Sequence, residues 1–172
     1  RSVSVDSITY HSWVTNGAGL QFHNYYGFGA IDANAAINAA ASYTTDSLGA
    51  QSYKYWTSSA TLNATIAEGV THDDTINIST TGTVEFVRVA LHMTHATSYE
   101  IGIRLTSPSG TTTTLLQPKT ALDDNPAGYI YLAASAFYGE SMAGDWRIDI
   151  FDHYTNTVQM TLRDWAIDFA YR

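Results

Sequence analysis

Serine, histidine and carboxylate side chains are where chemistry would start, and the stretch FYGESMAGDWRIDIFD, Phe137 to Asp152, holds a serine among acids. Acyl transfer by serine needs the hydroxyl, a base within hydrogen-bond reach and a third group that orients the base. The nucleophile elbow sets its serine in G-x-S-x-G, so that two glycines let the backbone turn sharply beneath it. Gly139-Glu140-Ser141-Met142-Ala143-Gly144 places the second glycine one residue too late. None of the six histidines (His11, His23, His72, His92, His95 and His153) stands in a motif that ties it to Ser141. Ser141 is expected to be a turn residue, and no catalytic residue is assigned.

Metal chemistry is weighed next. His92-Met93-Thr94-His95 has an HxxH look, but the zinc signature puts its histidines at i and i+4 on a helix. On a strand, i and i+3 point to opposite faces, so these two do not converge. Oxygen donors suit calcium better: Asp123, Asp124 and Asn125 stand in a row, Glu140 and Asp145 flank another loop, and Asp152 closes a strand. The other reading of these acids is Asx-turn bonding to nearby backbone N–H groups, and EF-hand spacing is absent. Calcium is the one cofactor considered.

The elements that must position these groups have two textures. From Tyr25 to Ala41 the chain reads YYGFGAIDANAAINAAA. Gly27 and Gly29 mark a turn, Asp32 is a natural N-cap, and Ile31, Ala35 and Asn38 or Ala39 recur at helical spacing. One short helix is predicted, too weakly amphipathic to stand alone, so its apolar face expects a partner. Ser42 to Ser52 is polar and turn-rich, with a linker placed at 46–52.

Beyond it the period becomes two. Val87, Val89, Leu91 and Met93 alternate with more polar residues, as do Tyr99, Ile101, Ile103 and Leu105. Trp146, Ile148 and Ile150 repeat the pattern, and Trp165, Ile167 and Phe169 close it. Each is a half-buried strand. Ser107-Pro108-Ser109-Gly110 is a turn, with proline presetting φ and glycine accepting φ > 0. Many short strands and one helix predict an all-β fold, most simply a jelly-roll β-sandwich, with an N-terminal extension carrying the helix.

A chain of 172 residues suits one domain with an attached segment. Its net charge of −8 would be repelled by phosphate backbones, which argues against a nucleic-acid partner. Cysteine is absent, ruling out disulfides and thiolate chemistry. No apolar run reaches the roughly 20 residues of a membrane-spanning helix, so no membrane partner is expected. The first residue is Arg1 rather than Met, and the chain is expected to be a piece of something longer. The 12 tyrosines and 4 tryptophans exceed what a core needs, so some aromatics among Tyr53, Tyr55, Trp56, Tyr129, Tyr131, Phe137, Tyr138 and Tyr154 are expected on the surface.

The C-terminal part resembles the P domain (Homo B domain) that follows the catalytic domain of kexin- and furin-like subtilases. Its landmarks here are Met93-Thr94-His95-Ala96, Leu105-Thr106-Ser107-Pro108-Ser109-Gly110-Thr111, Phe137-Tyr138-Gly139-Glu140, Gly144-Asp145-Trp146 and Met160 to Trp165. Four motifs in order, with the stretches from Phe137 and from Gly144 forming one, make a specific signal. Two departures occur: Ser98-Tyr99-Glu100-Ile101 replaces the usual acid and leucine, and Gln159-Met160 replaces a glycine. Upstream, Trp13, Asn16 and Gly19, then Tyr26-Gly27-Phe28-Gly29 and Asp32, are similar to the last segment of a subtilase catalytic domain.

The resemblance implies a division into 1–45, a catalytic-domain tail, 46–52, a linker, and 53–172, a P domain. It implies a non-catalytic fragment of an exported bacterial serine endopeptidase, extracellular or periplasmic, whose catalytic Asp, His and Ser lie upstream. The implied partner is the catalytic domain, which the P domain would help to fold and stabilise, with a protein substrate as a second one. The alternative is a β-sandwich module that binds protein fibres or polysaccharide. A P domain trailing a metallopeptidase fits less well, because Trp13 to Ala41 is subtilase-like.

Overall fold

The period-two segments pair into two antiparallel sheets that face one another. The computed structural model describes residues 12–44, 49–57, 62–94, 98–120, 129–154 and 160–172. Two short strands, β1 (Val14–Thr15) and β2 (Gln21–Phe22), pair at the start, followed by the helix α1 (Ala33–Ser42). The sandwich strands are β3 (Ser52–Thr57), β4 (Ala64–Ile66), β5 (Thr71–Ile78), β6 (Val84–Thr94) and β7 (Ile101–Thr106). They continue as β8 (Thr112–Leu116), β9 (Tyr129–Ala134), β10 (Gly144–Asp152) and β11 (Met160–Tyr171). One sheet runs β5-β10-β7-β8; the other runs β3-β11-β6-β9, with β4 also on β11. An all-β sandwich with one helix is what the alternation required.

The inner faces carry the predicted residues. Val87, Val89, Leu91 and Met93 of β6 are buried against Ile101, Ile103 and Leu105 of β7, Trp146, Ile148 and Ile150 of β10, and Trp165, Ile167 and Phe169 of β11. Trp146 is the centre: its ring meets Phe137 and Phe169 edge-on, both at 5.0 Å, and its Nε1–H donates to the Met142 carbonyl at 2.9 Å. Such edge-to-face packing adds to the area that the rings bury. Trp165 satisfies its buried N–H differently, donating to Asp74 at 2.6 Å. Tyr99 departs from the alternation, for Ser98–Glu100 form a 3₁₀ turn and β7 starts at Ile101.

Gly102 is required by a close approach, since a Cβ there would lie 1.9 Å from the Phe151 ring across the sheet. The helix bears out its sequence signal as well: the Asp32 side chain accepts from the Ala35 N–H at 2.9 Å, capping the first turn. No residue of α1 is buried.

On the outer face of the second sheet, Tyr129 donates its hydroxyl to Asp164 at 2.6 Å, and His92 lies 3.2 Å from the same carboxylate. That bond pushes the Tyr129 hydroxyl from 10.0 up to about 12. A raised folded value means the bond's stabilisation is complete below the ordinary tyrosine value and is lost as pH climbs towards about 12. In alkaline titration followed by phenolate absorbance, Tyr129 should ionise late, and Asp164→Asn should return it to the ordinary range. An unchanged profile in that variant would refute the bond.

Candidate functional site

The N-terminal segment is fastened to the sandwich by a cluster of bonds around Glu140. Pro108 and Gly110 fold the loop after β7 back on itself, the Gly110 N–H donating to the Ser107 carbonyl at 2.9 Å with φ +87°. The turn brings Ser109 and Thr111 beside Glu140, which follows Gly139 at φ +84°. The Glu140 carboxylate, 2% exposed, accepts from Ser109 Oγ at 2.5 Å, Thr111 Oγ1 at 2.5 Å and the Gly17 backbone N–H at 2.8 Å. A buried carboxylate is tolerable only when donors surround it, and three do so here.

Asn16 is the second half of the clasp. Its buried side chain donates to the Ala136 and Tyr138 carbonyls, each at 2.9 Å, and accepts from the Ala18 and Leu20 N–H groups at 3.0 and 2.9 Å. One amide therefore holds its own turn and reaches across to the sandwich. Gly19, at φ +79°, closes that turn by donating to the Asn16 carbonyl at 2.9 Å. Rings extend the contact: Phe28 meets Tyr138 edge-on at 5.9 Å, and Trp13 stacks on Tyr26 at 6.4 Å. Asn24 accepts from Thr113 Oγ1 at 3.1 Å.

Gly17 has no room for a side chain, as a Cβ would sit 2.3 Å from Ser109 Oγ and 3.3 Å from the Glu140 carboxyl carbon. Gly17→Ala should therefore loosen the segment while leaving the sandwich folded. Limited proteolysis should cleave between Trp13 and Tyr43 many times faster in the variant, with the strand signature of its circular dichroism retained. Equal cleavage rates would contradict the clasp.

The residues that converge here belong to the sequence landmarks of the sandwich and to those of the N-terminal segment. The family description "Proprotein convertase P-domain" matches residues 84–169. The chain belongs to the proprotein convertase P-domain family.

The relatives place the P domain in longer proteins. The Aeromonas extracellular serine protease of Aeromonas sobria is 33% identical over 168 residues, covering 87% of this chain but 26% of that protein. Human proprotein convertase subtilisin/kexin type 5 is 30% identical over 152 residues, covering 83% of this chain and 8% of the relative. The crystal structure of the Aeromonas sobria serine protease superposes with a TM-score of 0.81 at 25% identity, covering 93% of this chain and 33% of that one. The chain thus spans about a quarter of the bacterial relative's length.

The other candidate residues take structural places. Gly144, at φ +125°, lies under Pro108, where a Cβ would come within 2.7 Å of the ring. Ser141 is exposed, its backbone bridges Thr83, and among the described residues its hydroxyl meets no histidine. The described calcium candidates, Glu140, Asp145 and Asp152, form no shared cluster. Glu140 is occupied by the clasp, and Asp145 accepts from Asn77 Nδ2 at 2.6 Å. Asp152, at the other end of β10, accepts from the Tyr154 N–H at 3.0 Å. Asp145 and Asp152 stand roughly 23 Å apart along one strand, too far to share an ion. Among the described residues no group of three acids or histidines could hold a metal. Asp123, Asp124, Asn125 and His95 lie outside the described residues. Sequence reasoning did not anticipate the joining of Glu140 to Gly17 and Asn16 to Ala136, because these partners are 123 and 120 residues apart.

Proposed function

We propose that this chain is the C-terminal part of an exported subtilisin/kexin-like serine endopeptidase, in which the P domain holds and completes the last segment of the catalytic domain. One observation carries the reading. The helix that follows the clasped segment leaves Ile37 67% exposed, and Ile31, just before its N-cap, is 90% exposed. Tyr26, 68% exposed, and Trp13, 48% exposed, extend the same bare surface. Burying each isoleucine would contribute about 1.5–3 kcal/mol, which a neighbouring domain can supply and this chain alone does not. The P domain is then a brace that fixes where that helix stands, while cleavage belongs to groups upstream. Extracellular placement follows from the same reading and is supported by the bacterial relative described as an extracellular serine protease.

The test uses the longer chain that includes the residues before Arg1. Ile37→Asp should cut the yield of soluble, active protease several-fold there, yet leave the melting midpoint of the present chain unchanged, because its side chain is already in water. Equal yields, or an upstream sequence without a subtilase's catalytic segments, would overturn the reading. The present chain alone should hydrolyse no peptide substrate. Hydrolysis abolished by a serine-directed covalent inhibitor would show that it carries its own active site.

A further inference from the structure

The outer face of the β3-β11-β6-β9 sheet lies away from the clasp's bonds and is built differently from the rest of the surface. In register across the four strands run Tyr55, Asp168, Arg88 and Ala133, and beside that row Thr57, Ala166, Ala90 and Tyr131. Tyrosines stand on the two outer strands: Tyr53 and Tyr55 on β3 are 76% and 54% exposed, and Tyr129 and Tyr131 on β9 are 41% and 60% exposed. Between them the middle strands offer alanines, Ala90, Ala166 and Ala170, exposed by no more than 5%. With the alanines covered, the accessible apolar surface of this face is mostly phenol ring.

Charge and backbone chemistry restrict what can lie there. The molecule carries −8 overall, but on this face Arg88 is paired with Asp168 at 2.6 Å and also covers the Tyr131 ring at 5.3 Å, leaving Asp164, among the described residues, as the carboxylate not offset by an arginine or lysine. Asp164 is held by Tyr129 and His92. Each carboxylate retains lone pairs beyond those used, and both side chains are about a quarter exposed, so each can accept further O–H donors. A bound peptide strand would add in the plane of the sheet to the outer edge of β3 or β9, beside the rings, whereas a ligand lying across this face meets side chains alone. An ionic ligand would meet little charge. What fits is a flat, uncharged chain with apolar C–H faces to lie on phenol rings and hydroxyls to reach carboxylates, tyrosine hydroxyls and Arg88.

We propose that this tyrosine-lined sheet face binds a neutral polysaccharide. The site is independent of the bracing role, since none of its residues takes part in the clasp, so either reading can fail without the other.

The test is affinity electrophoresis of the 172-residue chain in gels containing hydroxyethylcellulose or galactomannan, with sedimentation on insoluble chitin. Polygalacturonate serves as the charged control and collagen fibres as the protein alternative. Retention by at least one neutral polysaccharide is expected, and it should persist at high salt because little of the contact is ionic. Tyr129→Ala with Tyr131→Ala should weaken it roughly tenfold or more, which is about 1.4 kcal/mol. Tyr53→Ala with Tyr55→Ala should do the same, and Tyr138→Ala, outside the face, should not. Tyr131→Phe keeps the ring and should keep most of the retention, which separates lost stacking from lost folding. No binding to any of the three neutral probes would sink the proposal. So would retention that survives all four alanine changes, or preference for collagen or polygalacturonate.

Discussion

Replacing Glu140 by alanine is expected to destabilise the chain by roughly 3–5 kcal/mol, more than any other polar substitution in the clasp. The carboxylate is 2% exposed and serves three donors, on Ser109, Thr111 and Gly17. Its loss leaves the buried Thr111 hydroxyl without its acceptor and removes the charge-assisted bonds of Ser109 and Gly17, which keep only weaker contacts to Ser107 Oγ and Thr111 Oγ1. For a chain of this length that is a fall in melting midpoint on the order of 10 °C. Glu140→Gln retains one acceptor oxygen but turns an NH₂ group towards hydroxyls, so an intermediate loss of about 2 kcal/mol is expected. Thermal melts of the three proteins decide the matter. A Glu140→Ala loss below about 1 kcal/mol would mean that water replaces the carboxylate and that the clasp is weak. The segment before Tyr43 should also become protease-sensitive in the alanine variant, because Gly17 loses the shorter of its two bonds to the sandwich.

Trp146→Ala is the second large expectation, again about 3–5 kcal/mol, with a different cause. This side chain is 0% exposed and touches Phe137 on the loop before β10 and Phe169 on β11. Removing it leaves a cavity that three rigid elements cannot collapse into, and it strips the Met142 carbonyl of its N–H donor at 2.9 Å. Trp146→Phe keeps most of the volume and should recover more than half of the loss. Chemical denaturation measures both. If the phenylalanine variant proved as unstable as the alanine one, the bond to Met142 rather than the packing would be dominant.

The strands were readable because their faces differ. Val87, Val89, Leu91 and Met93 are all buried, and between them Arg88 is exposed while His92 is half-buried. The helix was readable from Asp32, whose carboxylate meets the Ala35 N–H as its position implied. Inward-facing polar groups broke the pattern. Asp74 points into the sandwich to receive the Trp165 N–H, a partner 91 residues away that no local periodicity encodes. The clasp was half legible: resemblance marked Ser107 to Thr111 and Gly139-Glu140 as recurring residues without giving a reason for them. Their reason is Gly17 and Asn16, supplied by a segment that reads as a different unit. The tyrosine face was legible only as a surplus of aromatics, because registers across four strands decide which rings stand together.

The last strand of the chain occupies the middle of its sheet, bonded to β3 and β4 on one side and β6 on the other. During synthesis, therefore, the earlier partners emerge from the ribosome with their central seat empty, and the sheet closes only after β11 has emerged. Everything upstream that relies on this module for support must wait until Met160–Tyr171 has been made. A message truncated before Met160 should yield aggregated polypeptide instead of a shortened working product, which makes β11 a built-in check that synthesis has passed this module; soluble, protease-resistant material from such a message would argue the reverse.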